Sequence, residues 1–406
     1  MYLPHESRDL QVPCVLEFGN QTTRGGFAGE DTPDFMDPST MGLLEATEDT
    51  PKRLFELNPH VMPKYDDFSV VRPLKNHMFL DTDLAEPYLN YYVKDRLGAE
   101  FENTPMFLVE PAIHNKEHRM NMTQMMFEKF QVPSLFFHKA PLLALYVFSG
   151  ENAMIVDVGA NTTYATPIVE GFISSKGVMK ADFGGENLTN DLALTFGMKG
   201  DIIPSFASIK YKERLEGTNV SKSIDEYLQL CRLDVIREAK HSMCKLVEAN
   251  IDKIKFREGV DNVTYELPDK KIVVLSKEIY SIPEALFQPS PTVPEWKGLH
   301  HLVKESLEKT DIEVRKEILS NIIIVGGCSL MQNMIERLQK ELMDMNIMGM
   351  GHRVKTFTTV STAERRYANW LGGSILASMS SFGNLSMSKQ EYEEHGAILI
   401  DKKCLS

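Results

Sequence analysis

A chain of 406 residues with 43% hydrophobic positions can bury one large core or two domain-sized ones, and its 25% charged residues suit an ordinary water-facing surface. A formal net charge of −13 works against direct DNA binding, which draws on clustered Lys and Arg displacing counterions from phosphates. The opening MYLPHESRDL carries charges where a signal peptide needs an apolar run, and no stretch is long enough to span a bilayer, so an intracellular protein with no membrane role is expected. Cys14, Cys231, Cys244, Cys328 and Cys404 lie far apart and form no C-x-x-C pair, which predicts reduced thiols and neither a disulfide framework nor a zinc site.

The first informative segment is half of an internal echo. VLEFGNQTT at residues 15–23 is matched by IVDVGANTT at residues 155–163: apolar strand, carboxylate, Gly, small polar turn, strand again. Two similar α/β lobes are implied, each with a tight hairpin whose acid sits where the strand ends. Backbone N–H groups of such turns can cradle phosphate oxygens, and the acids can hold a metal through water, so two facing hairpins would clamp a polyphosphate. Between the copies, residues 37–67 combine scattered Pro and acids with little periodicity and predict an exposed loop or small subdomain of low intrinsic order. Residues 116–130 predict a helix with Met122, Met126 and Phe130 on its core face. His114 and His118 have metal-ligand spacing, but without a third ligand no metal is expected there.

Beyond the second copy, residues 288–294 predict a Pro-rich surface loop ahead of a helix at 298–307. A third glycine site, VGGCS at residues 325–329, follows the apolar strand 322–325, and Ser329 with Gln332 reads as a capping box opening a helix. That helix start suits an anion or an adenosine, the alternative being a ligand-free turn. Ser361 and Glu364 repeat the capping pattern and place Arg365 and Arg366 in the first turn of a helix running through Ala377. Arg366 could cover an adenine face or be a solvated arginine. Ser388 and Glu391 cap a last helix, ended by Gly396, that should fold the C-terminus back onto its own lobe.

FAGEDTP at 27–33, YELPD at 265–269, PEALFQPS at 283–290, DIEVRKE at 311–317, VGGCSLM at 325–331, AERRYANWLGGSILAS at 363–378 and SKQEYEEHG at 388–396 together resemble actin along nearly the whole chain. The resemblance implies the α/β fold of actin and the heat-shock-chaperone ATPases, with RNase H-like duplicated lobes around a nucleotide cleft. The outer lobe would comprise residues 1–147 plus 367–406, with 37–75 a divergent small subdomain. The inner lobe would comprise 148–366, with roughly 184–281 a helical subdomain. ATP or ADP with Mg2+ is the implied ligand.

Carried over by position, the first phosphate loop is Glu17, Gly19, Asn20 and Gln21, with Arg24 where actin has a phosphate-contacting lysine. The second is Asp157, Gly159, Ala160 and Asn161. Glu17 and Asp157 would hold the metal through water. Gly185, Arg237, Lys240, Gly326, Gly327, Ser329 and Arg366 would serve the base and ribose, and His241 replaces a ribose-binding glutamate. Ala140 replaces the glutamine that orients the attacking water, Ala160 the second-loop aspartate and Tyr164 the catalytic histidine. Three such losses, each costing about one or two decades in rate, imply slow or absent hydrolysis and no catalytic residue.

Residues 37–67 lack actin's DNase-binding-loop sequence and 290–297 its apolar plug, which disfavours filaments. Segments 73–76, 127–145 and 200–235 most resemble the actin-related protein 4 subfamily. Its members are nuclear, pair with an actin monomer and sit on a helix of chromatin-remodelling or histone-acetyltransferase scaffolds, with histones a further partner. A groove floored by Tyr146, Trp370, Leu371 and Ile375 would take such an amphipathic helix. The alternatives are a slow ATPase that switches partners with nucleotide state and a filament-forming cytoskeletal protein; a sugar kinase would need an acid base outside the two clamps.

Overall fold

The computed structural model describes residues 12–48, 50–61, 63, 65, 67–75, 77–148, 150–197, 202, 222–248, 262–290, 293–359 and 361–404. Of the connection 200–235, only Ile202 and the part from Lys222 onward fall within these; Asn76, at the end of the 73–76 segment, and residues 291 and 292 of the 288–294 loop lie outside them.

The apolar runs that open the two echo copies become central strands of two sheets built alike. In the first, Cys14–Phe18 pairs antiparallel with Thr22–Phe27, which pairs antiparallel with Phe35–Pro38; on its other side come the parallel strands Met106–Glu110 and Ser134–Lys139. In the second, Ala153–Val158 pairs antiparallel with Thr163–Val169, which pairs antiparallel with Phe172–Ile173 and Met179–Ala181; the parallel strands Ile322–Val325 and Thr356–Phe357 follow on the other side. The central strands read CVLEF, MFLVE, AMIVDV and IIIV, continuous apolar runs suited to strands covered on both faces.

Two helices, Ala140–Phe148 and Thr362–Ala377, lie between the sheets. The first reads APLLALYVF; its residues Ala140–Leu145 are buried between the two sheets and are apolar on every side, while Tyr146 near its end is exposed. Its Leu143 joins the core of the first sheet, while Leu142, Ala144 and Leu145 pack with Ile155, Ile168, Ile323 and Val325 of the second. Thr362–Ala377 starts as expected, Ser361 accepting from the Glu364 N–H, and Trp370 inserts under the first sheet with its indole Nε1–H donating to Val15 O at 3.0 Å. The last helix, Lys389–His395, carries the complete Ser388/Glu391 capping box and ends at Gly396 with φ 70°; Tyr392 stacks on Phe127 at 4.6 Å, docking this end on the first sheet's core.

Of the two readings of residues 37–67, an exposed loop or a small subdomain, the described residues follow the second and form part of a small sheet. Met41–Leu44 pairs with Arg53–Glu56 on one side and Ser69–Val71 on the other, and this small sheet buries Leu57 and Phe68 against Ile224, Tyr227, Leu228 and Cys231 of the helix Lys222–Met243. Strands of three and four residues are too short to show a period, and the apolar surface that orders them lies far away in sequence.

His138, in the strand Ser134–Lys139, is buried beside Phe136, and neither ring nitrogen has a hydrogen-bond partner among the described residues. Desolvation, helped by the charges of Lys139 and Arg119, pushes its imidazole down to about 4. The unfolded chain takes up this proton near pH 6.5 and the folded chain only near 4, so the contribution is complete above 6.5 and is lost as pH falls through that window. Unfolding free energies of His138→Phe, read from urea titrations, should therefore fall less steeply with acid than those of the parent, by up to about 1.4 kcal/mol per pH unit. Equal slopes for the two proteins would refute the assignment.

Candidate functional site

The two hairpin turns face one another across a cavity of about 460 Å³. Each is closed by the same bond, Gly19 N–H to Thr22 O at 3.1 Å and Gly159 N–H to Thr162 O at 3.0 Å. A Cβ on either glycine would stand 2.5 or 2.8 Å from that carbonyl, so both turns require the missing side chain. Asn20, Gln21, Ala160 and Asn161 spend no backbone N–H on another described residue. These four N–H groups are the donors a polyphosphate needs.

Of the expected nucleotide-binding residues, Gly19, Asn20, Gln21, Arg24, Asp157, Gly159, Ala160, Gly185, Arg237, Lys240, Gly326, Gly327 and Arg366 line this one cavity. Asn161 lies beyond its wall with an exposed side chain. Ser329 is a correction: its hydroxyl is fully buried and donates to Gly326 O at 2.6 Å, so it does not face the cavity. Nor does it open a helix. Residues Gly327–Leu330 form a 3-10 turn, and the helix Met334–Asp344 starts only after a left-handed Asn333 with φ 66°. Gly326 sets this path with φ 92°, in a place where a Cβ would meet Asp157 Oδ1 at 2.4 Å.

The carboxylates are held in different ways. Glu17 and Arg24 are cross-strand partners in the first hairpin, and Arg24 Nη1 reaches Glu17 at 3.2 Å. In the second hairpin Asp157 stands opposite Tyr164, so a phenol occupies the place of that guanidinium. Asn369, which sequence reasoning missed, donates from Nδ2 to both Glu17 Oε1 and Asp157 Oδ2 at 3.2 Å and so ties the two hairpins together. Desolvation raises the Asp157 pKa; the Asn369 bond opposes this, and the charge of Glu17 adds to it. Asn369 Oδ1 is buried with no partner among the described residues. A half-compensated pair of carboxylates beside an orphaned amide oxygen is a hard-oxygen set that fits a hydrated Mg2+.

Cations outnumber acids in the lining: Arg24, Arg237, Lys240, Arg365 and Arg366 line the cavity with Glu17, Asp157 and Glu186. Arg237 pairs with Glu186 at 3.3 Å and Asp234 at 2.7 Å. The Lys240 ammonium donates to Gly185 O at 2.6 Å and Thr189 Oγ1 at 2.8 Å, so it braces the helix Gly185–Gly197 as well as lining the cavity. That helix docks on the second turn through Gly185 N–H to Gly159 O and Glu186 N–H to Ala160 O. Burial, then the charges of Lys240, Arg237 and Arg366, push His241 down to about 4, leaving a neutral imidazole at pH 7. His77, a second residue missed from sequence, lines the cavity with its N–H on Asn20 Oδ1 and Nδ1 against Phe18 O at 2.7 Å.

Behind Asp157 a smaller void of about 20 Å³, room for about one water, is lined by Glu17, His77, Ala140, Asp157, Tyr164 and Asn369, among others. Ala140 faces it with a methyl group. Outside the cavity, Tyr146 and Ile375 are exposed and Leu371 half-buried, but Trp370 is fully buried. It therefore floors no partner groove, which corrects the expectation. Leu371 and Ile375 are one helical turn apart and share a face, whereas Trp370 is rotated off it toward the first sheet. Of the two histidines with metal-ligand spacing, His118 Nε2 accepts from the Phe79 N–H at 3.2 Å and His114 Nδ1 faces Glu110 at 3.9 Å. No described helix is long and apolar enough to cross a membrane.

The model of the Actin family matches residues 9–405. Actin-related protein 4 of Arabidopsis thaliana is 30% identical over 433 residues, covering 96% of this chain and 98% of that one. The proteins of the same name from Oryza sativa subsp. indica and Yarrowia lipolytica are 29% and 28% identical, again over at least 96% of each chain. Duplicated hairpins around a shared cavity and a match along nearly the full length agree: the chain belongs to the actin family, among relatives of the actin-related protein 4 kind.

Proposed function

We propose that this protein is an assembly subunit that holds ATP, with Mg2+, as a structural ligand and does not turn it over. The carrying observation is the pairing of two intact phosphate turns with a water pocket walled by Ala140 and Tyr164. ATP–Mg2+ would supply the phosphate charge that the cationic lining lacks and the cation that Asp157 lacks. Gly19, Asn20, Gln21, Gly159, Ala160 and Asn161 would hold phosphates, Asp157 and Glu17 the hydrated ion, and Arg237, Gly326, Gly327 and Arg366 the nucleoside side. Neither Ala140 nor Ala160 can accept a proton from water or orient it. Bound nucleotide then stabilises the closed cleft by mass action.

The resemblance to actin-related protein 4 supports a nuclear, non-polymerising role in a chromatin-remodelling or histone-acetyltransferase complex, beside an actin monomer and on a scaffold helix. The exposed Tyr146, Ile375 and Met379, with Leu371 between them in sequence, offer that helix an apolar surface. The net charge of −13 supports contact with chromatin through proteins such as histones, not through DNA.

Denaturing freshly purified protein and chromatographing the released nucleotide, before and after prolonged incubation with Mg2+, tests this reading. One ATP per chain that persists is expected. Conversion to ADP would replace it with a slow ATPase switch, and an empty cleft would leave only the fold. Restoring the lost groups together, Ala140→Gln, Ala160→Asp and Tyr164→His, should raise the single-turnover hydrolysis rate by about a thousandfold or more. An unchanged rate would mean that something else limits the chemistry.

A further inference from the structure

We propose that His60, Asp234 and Glu238 form a site for a divalent transition-metal ion of the zinc class, stapling the small three-stranded sheet to the helix Lys222–Met243. One ligand atom from each residue lies within 4.8 Å of the other two, and this is the one such group of His, Cys, Asp and Glu among the described residues. Asp234 and Glu238 are four apart on one helix and project from the same face. His60 comes from the turn that follows the small sheet's strand Arg53–Glu56.

The turn is built to hold its place. Val61 N–H closes on Asn58 O at 3.0 Å, and His60 N–H binds Asn58 Oδ1 at 3.0 Å. The Tyr227 hydroxyl, from the same helix as the two acids, bonds to Asn58 O and to Val61 O, bracketing His60 on both sides. Leu57, just before the turn, packs in the core that Tyr227 and Cys231 share with it. Asp234 is oriented in turn: Arg237 Nη1 donates to its Oδ1 at 2.7 Å, leaving Oδ2 for an ion, as outer-shell groups commonly do at metal sites. One imidazole with two carboxylates, completed by water, suits Zn2+; Mg2+ and Ca2+ prefer oxygen alone.

The consequence lies in where the staple sits. The helix Lys222–Met243 also lines the nucleotide cavity with Arg237, Lys240 and His241, while the small sheet belongs to the chain segment after the first hairpin. An ion joining them would restrain separation of the two sides of the cleft and slow escape of its contents. This coupling rests on the nucleotide reading above; the metal site does not.

Zn2+ titration of untagged, nucleotide-stripped protein in excess Mg2+, followed by calorimetry, tests the site; Co2+ absorption reports the ligand type. One ion per chain is expected, with affinity falling at least about tenfold in His60→Ala and in the isosteric Glu238→Gln, and with no thiolate charge-transfer band. Both side chains are exposed, so neither variant should unfold. Equal affinity in parent and both variants, or a thiolate band, would overturn the proposal by placing the ion on cysteines or elsewhere. In a second arm, release of a fluorescent ATP analogue should slow with Zn2+ in the parent but not in His60→Ala. If Zn2+ binds as expected but no analogue is retained, the nucleotide reading fails and the metal site stands.

Discussion

Replacing Arg337 with methionine is expected to destabilise the protein by about 3–5 kcal/mol, read from urea or thermal unfolding. Arg337 is 1% exposed and Glu284 2%, and the guanidinium grips that carboxylate with two bonds, at 2.8 and 2.7 Å. It also donates from Nε to Glu341 at 2.8 Å and from Nη1 to Val247 O at 3.1 Å, and lies over the Phe287 ring at 4.8 Å. One side chain thus joins the helix Glu278–Glu284, the helix Met334–Asp344 and the end of the segment after Met243. Methionine fills much of the volume but leaves Glu284 as an unpaired buried charge, and that desolvation dominates the loss. The double variant Glu284→Leu/Arg337→Met removes both charges and should recover most of the stability. A single-variant loss under about 1 kcal/mol would show that water reaches Glu284, contrary to the packing.

The same pair shows what kind of information the sequence carried. Glu284 lies within PEALFQPS, one of the motifs that resembled actin, but nothing local in that motif says why an acid stands there. Its reason is Arg337, far along the chain. The hairpins were legible because strand, acid, Gly and turn are contiguous, and because the pattern occurs twice. Asn369 was not: a polar residue inside a helix has no local signature, and its task appears only when strands ending at Glu17 and Asp157 converge on it. The errors have the same origin. Ser329 has the spacing of a cap, but the left-handed Gly326 turns the chain into a 3-10 segment. Trp370 adjoins a true surface face in sequence and misses it by one position of helical rotation. For residues 37–67 the loop and subdomain readings stayed open because the core that orders the small sheet is completed by the distant Tyr227 and Cys231.

Gly372→Ala is expected to destabilise the fold by about 3 kcal/mol and to weaken nucleotide retention with it. Where the helices Thr362–Ala377 and Ala140–Phe148 cross, a Cβ on Gly372 would stand 1.9 Å from Leu143 O and 2.4 Å from Leu143 C. Both are backbone atoms, so no rotamer change relieves the contact and the helices must separate. Overpacking ordinarily costs about 1–3 kcal/mol when a side chain can yield; against backbone the loss should exceed that range. Alanine is the better helix former by about 1 kcal/mol, which offsets part of the loss without reversing its sign. Gly197→Ala, where no described residue lies within 4 Å of the new methyl, serves as the control and should be neutral or mildly stabilising. The crossing also supports the site, since the same helix carries Asn369, whose amide bridges Glu17 and Asp157. Displacing it should loosen the bridge between the hairpins, so released nucleotide and unfolding midpoint should fall together. A variant that loses stability yet keeps full nucleotide would mean that the hairpins hold their spacing without the helix.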